Sequence, residues 1–127
     1  MITSIVTKAR RKLLAEITSG VIDTIPVITH IAFGDGGVDI AGEPREVTEN
    51  QTTLFNEVER YPVDSVTYPV ETTTRYYVEI PENDLIGVDI NEAGLMDSEG
   101  TLCAIKTMYI KKKDGNVKFA FEFDDVF

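Results

Sequence analysis

A chain of 127 residues with 22 acidic and 12 basic side chains, formal charge −10, is long enough to bury a core and points to one domain, residues 1–127. Its apolar fraction of 43% is ordinary for a globular protein, and its acidity excludes sequence-independent nucleic-acid binding, which needs phosphate-neutralising Lys and Arg, and attraction to anionic lipid. No apolar run is long enough for membrane insertion, basic residues at Lys8–Lys12 stand where the apolar core of a secretory leader would lie, and Cys103, the single cysteine, excludes an intramolecular disulfide, so the fold suits a reducing cytosol.

In chain order, residues 3–19 are predicted to form a helix. Ile2, Val6, Ala9, Leu13 and Ile17 recur at steps of three and four, and Ile5 and Leu14 widen the stripe. Thr3 or Ser4 is the expected cap, and Ser19-Gly20 the expected end. Lys8, Arg10, Arg11 and Lys12 form a solvated basic face, with a contact patch for an acidic molecule as the alternative. Val21–Phe33 reads as extended, with Pro26 marking the start of an interior strand whose two faces are both largely apolar. His30, the only histidine, has no nucleophile near it in sequence and reads as structural and hydrogen-bonded.

Gly34-Asp35-Gly36-Gly37 follows that strand as a tight turn. It lacks the spacing and the lysine of a phosphate-binding loop, and Asp35 lacks the further oxygen ligands of a calcium loop. Thr48 with Gln51 fits a capping box, and Leu54, Phe55 and Val58 give a short apolar face, so 49–59 is predicted as a short helix or a loop with one helical turn. Val63–Val70 has strand composition broken by Pro69, and Thr73–Ile80 alternates as a strand ended by Pro81.

From Ile86 to Ile110 the pattern is a hairpin folded about Asp97-Ser98-Glu99-Gly100. Gly94 stands where a bulge or a close backbone approach is expected, and Gly100 where a tight reversal needs positive φ. Asp114-Gly115 signals a second hairpin, after which Val117, Phe119, Phe121 and Phe123 alternate along a last strand. The expected class is α+β: an N-terminal helix packed on a mostly antiparallel, sandwich-like sheet of five or six strands.

No catalytic, cofactor-binding or metal-ligating residue is assigned. One His and one Cys cannot supply a zinc site, Cys103 sits in an apolar strand, and the carboxylates are scattered. An enzyme reading would rest on Asp35, Glu92 and Asp97 converging, and a carbohydrate-binding reading on exposed rings at Tyr61, Tyr68, Tyr76 and Tyr77.

Five segments in order carry a resemblance: Ile28-Thr29-His30-Ile31-Ala32-Phe33-Gly34-Asp35-Gly36-Gly37; Gln51-Thr52-x-Leu54; Asn56-Glu57-Val58-x-Arg60; Ile90-x-Glu92-x-Gly94-Leu95-x-Asp97; and Gly100-x-Leu102-x-Ala104. Together they resemble the N-terminal domain of phage tail-collar fibre proteins, found in tail fibres of contractile-tailed phages and R-type pyocins. Asn91 departs from the arginine common at its position in that family. The resemblance implies a non-catalytic virion tail protein of phage or prophage origin, assembled in the bacterial host cytoplasm, that joins a fibre or appendage to baseplate or tail proteins. It also implies a homotrimer. Fibres of this family continue into a shaft and tip, so the chain is expected to be either the N-terminal domain of a fibre or a small free-standing tail protein.

Overall fold

The computed structural model describes residues 1–127. Its elements are β1 (Ser4–Val6), α1 (Lys8–Thr18), β2 (Ile28–Gly34), β3 (Glu57–Pro62), β4 (Ser65–Val70), β5 (Thr73–Ile80), β6 (Asp89–Asp97), β7 (Leu102–Lys112) and β8 (Phe119–Val126). All strand pairs are antiparallel, in a five-stranded sheet ordered β1-β7-β6-β2-β3 and a three-stranded sheet ordered β4-β5-β8.

The sheets stack face to face. Ile31, Phe33, Ile90, Ala93, Leu95, Cys103 and Ala104 from the larger meet Val78, Ile80, Phe121 and Phe123 from the smaller. Phe33 is fully buried and meets Phe121 edge-on, ring centroids 5.2 Å apart, the offset geometry that aromatic quadrupoles favour. On the opposite face of the five-stranded sheet, Ala32, Met96, Leu102 and Ile105 pack against Val47 and Leu54. That face is therefore covered by the long connection between β2 and β3, and this explains why β2 is apolar on both sides.

The mostly antiparallel, sandwich-like arrangement is as expected, but it has eight strands in two sheets where five or six were expected, and the helical part is one short helix. The helix starts later than predicted, because Ser4–Val6 pairs with Lys106–Ala104 as an edge strand. Thr7 is the cap. It is fully buried, its Oγ1 donates to Leu102 O at 2.6 Å and accepts from Arg10 N at 3.3 Å, and its own N–H donates to Cys103 O at 3.0 Å. Leu13, Leu14 and Ile17 are only half-buried, and Arg10 is the single buried residue of α1. The helix is tethered to β7 through its cap more than it covers a sheet. Thr7→Ala should cost about 1–2 kcal/mol in urea unfolding, with Thr7→Ser recovering most of it.

Of the two readings of 49–59 the short helix does not form: a loop with a single turn, in which Gln51 N donates to Thr48 O at 3.3 Å and Gln51 Oε1 accepts from Thr48 N at 3.0 Å, leads through bends into β3. The Asp114-Gly115 reversal does not make a hairpin either. β7 and β8 lie in different sheets, β8 pairs with β5, and Val117 is exposed rather than part of the inward row.

The central hairpin is as expected. Gly100 has φ +80°, and a Cβ on Gly94 would lie 2.6 Å from Leu102 Cδ1 and 3.0 Å from Leu54 Cδ2, so Gly94 marks a close approach. The bulge falls one step on: Leu95 pairs with Ala104 but Met96 with Leu102, leaving Cys103 as the extra residue. A similar shift between Ile28 and His30 in β2 turns Ile28 to the same core as Ile31 and Phe33, against strict alternation.

Candidate functional site

Glu92, in β6, is fully buried. A carboxylate there must find donors, and the neighbouring loops supply backbone amides. Its Oε2 accepts from Gly36 N at 2.9 Å and Asn56 N at 2.8 Å, and its Oε1 from Phe55 N at 2.7 Å. Asn91 completes the clamp: its Oδ1 accepts from Gly37 N at 2.6 Å and its Nδ2 donates to Asp35 O at 3.1 Å. The amide cradle that a glycine loop offers to phosphate in other proteins is here filled by the chain's own carboxylate.

The loop glycines are required by space. A Cβ on Gly34 would lie 2.3 Å from Asn56 O, and one on Gly37 2.4 Å from Asn91 O. Asp35 points outward, accepting from Asn56 Nδ2 at 2.6 Å. Arg45 closes the loop from outside, donating to Gly36 O at 3.1 Å with its guanidinium 3.8 Å from the centre of the Phe55 ring.

Asp97 lies at the other end of β6 and serves the hairpin turn. Its Oδ1 accepts from Glu99 N and Thr101 N, both at 2.9 Å, while Gly100 N donates to Asp97 O at 3.0 Å. Beside it lies a small polar cluster at one end of the sandwich. Arg10 Nη1 donates to Pro26 O at 3.4 Å and sits 4.0 Å from Cys103 Sγ, while Cys103 Sγ is 3.7 Å from Asp97 Oδ2. Burial, followed by the Asp97 charge, pushes the Cys103 thiol up to about 11. The native chain should therefore resist iodoacetamide at about pH 8 and react once unfolded in urea, as read by mass spectrometry.

Asp125, buried in the same region, is held above the ordinary aspartate range by desolvation, with Arg10 pulling the other way. The folded chain then holds a proton that the unfolded chain has released. Asp125 therefore contributes stability at low pH that is lost as pH rises from about 4 through its raised value. Asp125→Asn should remove that step, so that variant and parent converge in melting temperature at acid pH and the variant melts higher at neutral pH.

Asp35, Glu92 and Asp97 do not converge, and no three His, Cys, Asp or Glu side chains gather where a metal ion would sit. Glu57 and Arg60 face each other, Nε to Oε2 at 2.8 Å. His30 Nδ1 lies 2.8 Å from Thr29 Oγ1, a structural contact. Of the four tyrosines, Tyr61 and Tyr76 pack against the core, Tyr77 is half-buried with its hydroxyl donating to Glu79 at 3.1 Å, and Tyr68 alone is exposed, so they form no shared ring platform.

Two contributors escaped the sequence reading. Asn91 stood out as a departure from a motif, yet it is an anchor of the glycine loop. Arg10 was grouped with a solvated basic face, although its spacing from Val6, Leu13 and Ile17 already placed it on the buried stripe.

The separated motif segments meet around β6. Gly34–Gly37 and Phe55-Asn56 bind Glu92, Leu54 and Leu102 close over Gly94, and Asp97 fastens the turn before Leu102. No curated protein and no solved structure matches the chain. The family model of the phage tail-collar fibre protein N-terminal domain matches residues 1–118. With all five segments inside that match and joined in one structural knot, the chain belongs to the phage tail-collar fibre N-terminal family and is a structural phage tail protein.

Proposed function

We propose that the chain is a non-catalytic connector that joins a tail fibre or related appendage to the baseplate, acting as one unit over residues 1–127 and assembling as a homotrimer in the host cytoplasm before joining the virion. The observation that carries this reading is where the motif chemistry goes. Two acids of the motif segments are taken up by the chain's own backbone: Glu92 accepts from the amides of Gly36, Phe55 and Asn56, and Asp97 from those of Glu99 and Thr101. Groups held in this way fix shape, and on this reading no residue is assigned to catalysis, a cofactor or a metal. A rigid β body suits the transmission of load between two larger parts.

The test is reconstitution. Mixed with the purified baseplate proteins of its own particle, the chain should co-elute with one of them, and particles lacking its gene should lose the appendage in electron micrographs. Light scattering of the isolated protein should give three times the chain mass. Intact appendages on gene-deleted particles would defeat the connector reading.

A further inference from the structure

The edge of the smaller sheet carries a feature that the motif knot does not use. β8 is paired on one side only, with β5. It is the longest regular free edge in the molecule: β1 has three residues, β4 contains Pro69 and a register shift, and β3 ends in a bulge against Gly34. Opposite it, β7 runs past the end of β1 and bulges, since Glu92 pairs with Thr107 but Ile90 with Lys111. Between them lies a cleft of about 400 Å³ lined by Lys106, Met108, Lys111, Phe121, Glu122 and Tyr77.

Charge decides what fits there. Of the twelve basic residues, six hold carboxylates. Arg10 and Lys113 are buried against backbone oxygens, and Arg45 is held by Gly36 O and Phe55. Lys8, Lys106 and Lys111 have no carboxylate partner although acids outnumber bases, and two of these three line the cleft. Lys106 Nζ is held 5.5 Å from the Phe121 ring centre and 5.8 Å from that of Phe123, a cation presented over an aromatic floor.

We propose that this cleft receives an extended segment of a partner protein, added as a strand along β8, with acidic side chains facing Lys106 and Lys111 and an apolar one between them on Met108 and Phe121. Free backbone groups on β8 supply the main-chain bonds, and the two lysines select for acids at alternate positions. Glu122, at the rim of the cleft, and Asp124 are the exposed acids of β8 and disfavour acids beside them, so neutral residues belong at the positions next to β8's outward side chains. The inference rests on the connector reading and names the chemistry of its partner.

The probe is the peptide Ac-Glu-Thr-Val-Thr-Glu-Thr-NH2, titrated into the full chain by NMR at about physiological salt to screen the net charge. Amides of Met108, Tyr109 and Ala120–Phe123 should shift together. The lysine analogue Ac-Lys-Thr-Val-Thr-Lys-Thr-NH2 should leave them unmoved. Lys106→Ala with Lys111→Ala should weaken binding about tenfold, the sum of two partly exposed ion pairs. Lys106→Arg with Lys111→Arg should restore it. Equal binding of both peptides, equal effects from free acetate, or no shift at saturating peptide would overturn the proposal. So would self-association of the chain that Lys106→Glu with Lys111→Glu abolishes, because the edge would then belong to a second copy. None of these outcomes touches the co-elution and gene-deletion readouts, so the two readings fail separately.

Discussion

Glu92→Ala is expected to lower stability by about 4 kcal/mol or more, with a melting temperature lower by roughly 15 °C. The side chain accepts three backbone N–H groups from the two ends of the β2–β3 connection, and its removal leaves the part-buried amides of Gly36, Phe55 and Asn56 without this acceptor. Charge-assisted bonds are the stronger kind, and donors shielded from water on one side regain only part of their hydration when the acceptor is removed. Glu92→Gln separates charge from shape. It keeps one oxygen for Phe55 or Asn56 but turns an NH2 group against an N–H, so a loss of about 2 kcal/mol is expected. Urea unfolding with far-UV circular dichroism measures both. Native-state hydrogen exchange should show the 35–56 connection opening first in either variant. An alanine variant as stable as the parent would mean that the amide clamp contributes nothing.

Gly34→Ala and Gly37→Ala should each cost about 3 kcal/mol or more, or prevent folding, although each adds one methyl group. The atoms in the way are backbone oxygens, Asn56 O at 2.3 Å and Asn91 O at 2.4 Å, which cannot swing aside as a side-chain end can. Gly42 is the control. It has φ +82° and nothing within 4 Å of an added Cβ, so Gly42→Ala carries only the backbone term of about 1 kcal/mol. The same substitution therefore separates steric from conformational cost within one connection. Soluble yield and thermal melts of the three variants give the ranking.

What the sequence disclosed followed from locality. The central hairpin was legible because Asp97 and Gly100 settle the turn within four residues, whatever lies further away. β2 was legible because it is apolar on both faces, each of which is covered, and β5 because its alternation matches a strand with one face on the core. The start of α1 was not, because Ile2, Ile5 and Val6 satisfy a helical stripe and a short edge strand equally, and pairing of Ile5 with Ile105 decides the matter from a distance. The missing helix at 49–59 has a similar cause. Its amides at Phe55 and Asn56 are taken by Glu92, and Leu54 is drawn against Met96 and Leu102, so the helical ladder has lost its donors before it can propagate. At Asp114-Gly115 the turn signal was real, but Lys113 is held back toward the larger sheet, its carbonyl accepting from Gly87 N at 2.9 Å and its Nζ donating to Glu82 O at 2.8 Å. The chain then leaves for β5. The Asn91–Glu92 clamp was invisible as a site because its partners are main-chain atoms, which no residue letter announces.

The family match stops at residue 118, and the strand that roofs the core begins at Phe119. Phe121 and Phe123 lie over Phe33 and Cys103, and β5 has no other neighbour on that side. During synthesis, everything up to the knot around Glu92 can be in place while the hydrophobic interior still stands open, waiting for one late strand to emerge from the ribosome. The nascent chain is therefore exposed to mispairing until β8 arrives, because Phe33 must wait for Phe121, 88 residues further along the chain.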